Sequence, residues 1–296
     1  MKLRIRHRTV YAYEAPIRAA TQILRLRPRE DVWARLAAFE LELHPDGRVR
    51  WVRDAWGNLT ALWDPRVETD RLVVEARSVV DSPERNPFDF MLEPRALKFP
   101  VAWNPGEERA FARCLDPGTL SGSALTSLSS FARECAREGK DQPLGFLLAP
   151  NRTIHGTFRF AQGTTTVATP PDEVLIRRAG VCQDFANLFL ACARLTGLPT
   201  RYVSGYVYEG TTEGDAGRRS ASHAWVEAYL PGAGWIGFDP TNGVLACETH
   251  VAAAVGWEYA DVAPVAGGYF GATVGHTLEV EVKVDLHPDP APVLPG

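Results

Sequence analysis

The sequence predicts an α+β protein in which an all-β, sandwich-like domain precedes a domain built of helices followed by an antiparallel sheet. Three observations carry that expectation. Apolar residues alternate with polar ones through roughly the first eighty positions; helical periodicity replaces alternation between about 123 and 195; and alternation returns from Thr200 onward.

The first domain rests on LRIRHRTVYAY, QILRLRP, AAFELELH, RVRWVRD and RLVVEARSVV, with HPDG and WGN supplying turn residues between them. From Asp81 the character changes. Prolines at 83, 87, 94, 100, 105 and 117 punctuate a linker-like run, so the domain boundary is expected near 100, giving segments 1–100, 101–286 and a proline-rich tail over 287–296. Helices are expected from about Ser123 to Arg137 and from Leu144 to Phe158, and a third opens near Cys182. Then TRYVSGYV, SHAWVEAYL, GWIGFDPTN, THVAAAVG and TLEVEVKVDL read as strands of the second domain. The glycine cluster GGYFGATVG lacks the following helix and the spacing of a nucleotide-binding loop, and reads as a surface loop.

Composition narrows the function classes. With 296 residues, 45% hydrophobic content, 23% charged residues and eight tryptophans, the chain can build a sizeable core. A net charge of -4 with scattered basic residues argues against a nucleic-acid partner. The N-terminal MKLRIRHRTVYAYEAPI interleaves charged and apolar residues, unlike a signal peptide, and no segment reaches the length of a membrane span; a cytoplasmic location without a membrane partner is expected. Five cysteines, irregularly spaced and without a C-x-x-C pair, suggest free thiols rather than a disulfide framework or a structural zinc site.

Two of those cysteines share the segment RAGVCQDFANLFLACARLTGLP, and they read differently. Phe185, Leu188, Phe189, Cys192 and Leu195 form one buried helical face, so Cys192 is a small core side chain. Cys182 also points inward, but from the first turn, where N–H groups lack carbonyl partners and the positive end of the helix dipole favours an anion. Gly197 and Pro199 mark the stop of the helix. A nucleophile at Cys182 needs a base and a group to orient it. His223 opens SHAWVEAYL and Asp239 closes GWIGFDPTN, with PGAG between them, which is a β-hairpin. Register decides whether they meet. With Leu230 opposite Trp235, His223 and Asp239 point to different faces; with Tyr229 opposite Trp235, Trp225 lies across from Asp239 and His223 shares their face. The second register is expected, with Trp225 shielding the imidazole. His155 within a helix, His250 at a strand start, His276 and His287 have weaker claims.

GVCQDFANLFLACARLTGLPTRYVSGYV followed by SHAWVEAYLPGAGWIGFDPTNG resembles the bacterial transglutaminase-like family, whose members are often described as candidate cysteine proteases. HRTVYAYEAPI and LRLRPR resemble its N-terminal β region, and VAAAVGWEYADVAP its segment after the aspartate. The resemblance implies a papain-like transglutaminase core, with Cys182 as nucleophile, His223 as base and Asp239 as its orienter, and no cofactor or metal. One departure stands out: the family typically carries Arg-Asp where Trp257 and Glu258 occur, which bears on specificity if those positions line the substrate cleft.

The chemistry so implied is thioester formation from an amide of a protein or peptide substrate, resolved by water in a peptidase or amidase, or by an amine in a transglutaminase; a non-catalytic scaffold of the same fold is the rival outside enzymology. The Cys182 N–H is the first oxyanion donor and Gln183 a candidate second, while Asp184 reads as a carboxylate favourable to the helix dipole yet close enough to oppose a thiolate. Iodoacetamide at mildly acidic pH is expected to label Cys182 faster than Cys192, with peptide mapping as the readout; equal rates would contradict a site at Cys182.

Overall fold

The computed structural model describes residues 1–120, 122–210 and 222–287. Alternation becomes strand pairing in the N-terminal part: β1 (Lys2–Ala19), β2 (Gln22–Leu24), β3 (Arg35–His44), β4 (Gly47–Arg53), β5 (Leu59–Pro65) and β6 (Glu68–Asp81). The helical region holds α1 (Pro105–Leu115), α2 (Gly122–Glu138), α3 (Pro143–Thr157), β7 (Arg159–Phe160), α4 (Pro171–Arg177), β8 (Ala179–Gly180) and α5 (Cys182–Leu195). After it come β9 (Thr200–Val207), β10 (His223–Leu230), β11 (Gly234–Asp239), β12 (Val244–Leu245), β13 (His250–Gly256), α6 (Tyr259–Val262), β14 (Val265–Ala266), β15 (Tyr269–Phe270) and β16 (His276–Leu286).

Two antiparallel sheets form the N-terminal sandwich. One runs β15-β1-β6-β3, with β16 also paired to β1; the other runs β14-β2-β5-β4. Between them lies a core of Ile17, Leu24, Leu26, Trp63, Leu72 and Val74, drawn from both sheets. The second sheet system, β12-β11-β10-β9-β13, carries α5 on one face. There Ala224, Val226, Ala228 and Leu230 of β10 meet Phe185, Leu188, Phe189 and Cys192 of α5.

The final strand departs from the linear division at residue 100. TLEVEVKVDL does not extend the second sheet: Leu278 to Leu286 pair with Tyr11 to Leu3. The glycine cluster likewise contributes Tyr269 and Phe270 as a short strand on β1 rather than only a loop. Alternation specifies a face, not a partner, so the sequence pattern was equally compatible with either sheet. Within the supposed linker, α1 begins on a signal that the prolines obscured: Asn104 accepts from the N–H groups of Gly106 and Glu107, while the Glu107 carboxylate returns to the Asn104 N–H. β5 and α4 also lie outside the expected elements, β5 because LTALWDP does not alternate apolar with polar residues. The tail beyond His287 lies outside the described residues.

The two parts interlock through an apolar seam in which Leu3, Ile5, Val80, Val282 and Val284 of the sandwich pack on Tyr206, Val251 and Ala253 of the second sheet system. The free edge of β13 is covered as well. Asn58, buried beside the sandwich's β4–β5 turn, accepts from the Val255 N–H at 2.9 Å and donates to its carbonyl at 2.8 Å, and the Arg29 N–H donates to the Ala252 carbonyl. An edge strand left open would invite pairing with another chain. Replacing Asn58 by Ala strands both backbone groups, and urea unfolding is expected to show a loss of about 1–3 kcal/mol; a change below about 0.5 kcal/mol would mean water satisfies this edge without the side chain.

Candidate functional site

Residues Gly180 to Asp184 set the position of the Cys182 sulfur. Val181 adopts an extended conformation (φ -120°, ψ 179°), and α5 starts at the cysteine itself. The Asp184 carboxylate, 1% exposed, turns back to accept from the Val181 N–H at 2.7 Å and from the Thr165 hydroxyl at 2.6 Å. That return path runs against Gly180, where a Cβ would stand 2.8 Å from the Asp184 Oδ2, so only glycine leaves the carboxylate its place. Asp184 is therefore engaged in closing the helix start. Gln183 occupies the first turn beside Cys182, and Cys192 lies in the core, where burial pushes its thiol well above the usual range. Gly197 takes φ 77° just past the helix, as its position in the sequence predicts.

The hairpin has the register that brings His223 and Asp239 together. Tyr229 pairs with Trp235 and Val226 with Phe238, which places Trp225 across from Asp239. His223 Nε2 lies 2.8 Å from Asp239 Oδ2. Cys182 lies near enough to the ring to raise its affinity for a proton. Burial works against a charged His223, but the bond to Asp239 and the nearness of Cys182 prevail, and its pKa is raised to about 10. Burial likewise opposes ionisation of the fully buried Asp239, yet the bonds from His223 and His250 hold its carboxyl far below the usual range.

Trp225 shields this pair as expected. The indole is 2% exposed, stacks on the His223 ring at 6.2 Å and meets the His250 ring edge-on at 5.4 Å. Its place depends on Gly205 of the neighbouring strand, the residue paired with His223, where a Cβ would come within 2.7 Å of the indole. No alternation pattern predicts that accommodation.

Four groups around Asp239 went unassigned in the sequence. The turn after β11 folds back so that the Thr241 and Asn242 N–H groups donate to Oδ1 at 2.9 and 3.2 Å, and Asn242 Nδ2 donates to Oδ2 at 2.8 Å. DPTN is a recognisable Asx-type turn, so this signal was available. His250, dismissed as a strand start, places Nε2 3.2 Å from the same Oδ2. His155 of α3 supports the turn from outside through Nδ1 and the Thr241 carbonyl at 2.8 Å. His276, by contrast, opens β16 on the sandwich beside Tyr11 and Tyr13, and His287 contacts Arg4.

Trp257 and Glu258 sit away from the sulfur. The Trp257 carbonyl accepts from Arg194, in the last turn of α5, and the Arg113 guanidinium lies 3.6 Å over its ring. Since α5 has 14 residues, its two ends are about 20 Å apart. Trp257 thus belongs to packing at the end of α5 remote from Cys182.

Comparison with known proteins accords with this arrangement. Residues 130–240 match the profile of the transglutaminase-like superfamily, and residues 3–81 that of the bacterial transglutaminase-like N-terminal region. An uncharacterized protein of Mycobacterium leprae is 32% identical over 295 residues, covering 96% of this chain and 98% of that protein. A protein-glutamine gamma-glutamyltransferase of Pseudomonas aeruginosa is 32% identical over 113 residues, 36% of this chain and 17% of that protein. The crystal structure of a candidate cysteine protease from Cytophaga hutchinsonii has the same fold, with a TM-score of 0.72 at 22% identity over 100% of this chain and 94% of that one.

The shifts at His223 and Asp239 make a signed prediction for stability. His223, raised from 6.5 to about 10, stabilises the fold fully below pH 6.5, and that contribution fades as pH rises through about 10. Asp239, lowered from 3.8, contributes fully above pH 3.8 and loses its contribution as pH falls below that. Urea unfolding of the wild type and of Asp239→Asn should therefore differ most between about pH 4 and 6.5, the interval in which both contributions are intact, and the gap should narrow toward pH 10. A gap independent of pH would argue against a charged pair.

Proposed function

The chain belongs to the transglutaminase-like superfamily, and on that premise we propose that it cleaves an amide bond of a protein or peptide through a thioester on Cys182, with water as the acceptor. One observation carries this reading: the His223 Nε2 to Asp239 Oδ2 bond of 2.8 Å leaves Nδ1 as the ring nitrogen available to the sulfur. The high proton affinity of His223 supports an imidazolium at this position before substrate arrives.

Each step follows from those positions. The thiolate forms a bond to the carbonyl carbon as the carbonyl's π pair moves to oxygen. The first-turn N–H groups of α5, Cys182's among them, face the resulting oxyanion. His223 Nδ1–H then protonates the departing nitrogen as the C–N bond breaks, leaving the thioester and a neutral imidazole. Water attacks with its proton passing to Nδ1, the C–S bond breaks, and thiolate, imidazolium and a carboxylic acid result. Asp239 stays ionised throughout and holds the ring. A second outcome has its own support. The similarity to a gamma-glutamyltransferase over 113 residues favours an amine as the acceptor from a glutamine donor.

A panel of glutamine-containing and isopeptide-linked peptides tests both readings. Cys182→Ala and His223→Ala should each lower turnover by about 10³-fold or more. Release of free acid without uptake of a labelled primary amine supports hydrolysis, whereas stoichiometric uptake assigns amine transfer. Full activity in either variant removes the thioester mechanism altogether.

A further inference from the structure

We propose that His250 is a positioning residue: it fixes the Asp239 carboxylate so that His223 presents Nδ1 to Cys182. The inference rests on the triad reading above and adds a group that chain order alone would not connect to it. His250 opens β13, while Asp239 closes β11, and β10 and β9 lie between those two strands in the sheet. Even so, His250 Nε2 reaches Asp239 Oδ2 at 3.2 Å.

The ring of His250 is held on three sides. Thr249 Oγ1 lies 3.0 Å from Nδ1, and the Cys247 N–H donates to the same nitrogen at 3.4 Å. A backbone N–H can only donate, so in the neutral ring this arrangement keeps a lone pair on Nδ1 and the proton on Nε2, aimed at Asp239. Trp225 bears edge-on against the ring and also stacks on His223, so one indole spaces both imidazoles. Burial opposes protonation of His250 and Asp239 favours it more strongly; since either form keeps a hydrogen on Nε2, the bond to Asp239 is made in both. The Thr249 hydroxyl can reverse its role to accept from a protonated Nδ1.

Oδ2 already receives His223 Nε2 and Asn242 Nδ2 at 2.8 Å each. Those two would satisfy the oxygen's lone pairs. A third donor from a different strand therefore constrains where the oxygen sits rather than supplying a missing partner. Without it, the carboxylate can tilt about its last torsion, and the His223 ring tilts with it. The charged and titratable groups around His250 are Asp239, His223 beyond it and the Cys247 thiol. Across the roughly 230 Å³ cavity that His250 also lines stand Arg29, Arg85 and Arg201 with Asp31, Asp89 and Glu227.

Alkylation of Cys182 by iodoacetamide, followed by peptide mapping from pH 4 to 10, tests the inference without a known substrate. In His250→Ala the rise that reports thiolate–imidazolium pairing should move up by about one pH unit, a roughly 10-fold lower rate on the acidic limb. His250→Gln, whose amide N–H can still donate to Oδ2, should restore most of the wild-type profile. A purely structural role would lower the melting temperature without moving that limb. Should the Ala variant fail to fold, His250→Asn, too short to reach Asp239, takes its place in the comparison with Gln. A wild-type profile in folded His250→Ala or His250→Asn, or a Gln variant as impaired as they are, overturns the proposal. If His223→Ala itself leaves the Cys182 profile unchanged, the triad reading fails and this inference with it; a collapsed profile in His223→Ala beside an unchanged one in His250→Ala sinks the inference alone.

Discussion

The site is organised around a buried negative charge. Asp239 is 0% exposed and ionised, and a carboxylate removed from water without compensation costs several kcal/mol. Its donors come from three places: His223 at the start of β10, the backbone and side chain of the turn after β11, and His250 at the start of β13. Each of those elements must therefore arrive in a particular register. A one-residue slip of the hairpin would turn Asp239 toward the helix-facing apolar layer, opposite Phe189 and its neighbours, with none of those donors. The buried charge thus disfavours alternative pairings as much as it supports the chosen one.

Helix α5 is used differently at its two ends. At the start, Gly180, Val181 and Asp184 make a compact closure that leaves the cysteine side chain free beside His223. At the finish, the Arg194 guanidinium, largely buried, donates to the carbonyls of Thr200 and Trp257 and lies over the Trp257 ring. A cation in the last turn suits the negative end of the helix dipole, just as an anion suits the first. Between the ends, the apolar stripe packs against β10 and fixes the helix axis over the sheet, so the sulfur's position is set by the whole length of the packing rather than by its own turn.

The N-terminal sandwich contributes closure. It shares an apolar seam with β9 and β13, satisfies the outer backbone groups of Val255 through Asn58, and receives the chain's last strand on β1. Because β16 returns after the second sheet is complete, the two parts are tied at both ends of the chain. Among the described residues no helix is long and apolar enough to cross a membrane.

The local features of this fold were legible in the sequence: the period-two runs, the start and stop of α5, the difference between Cys182 and Cys192, and the turn that makes the Tyr229–Trp235 register possible. These depend on interactions a few residues apart, which a linear pattern records directly. Four features were decided only by tertiary structure. TLEVEVKVDL chose β1 as its partner, His250 reached Asp239 across the sheet, Gly205 made room for Trp225, and Trp257 fell at the remote end of α5. In each case the deciding contact joins residues that local periodicity treats as independent: alternation says which face a strand buries, and nothing in it says which strand will lie alongside.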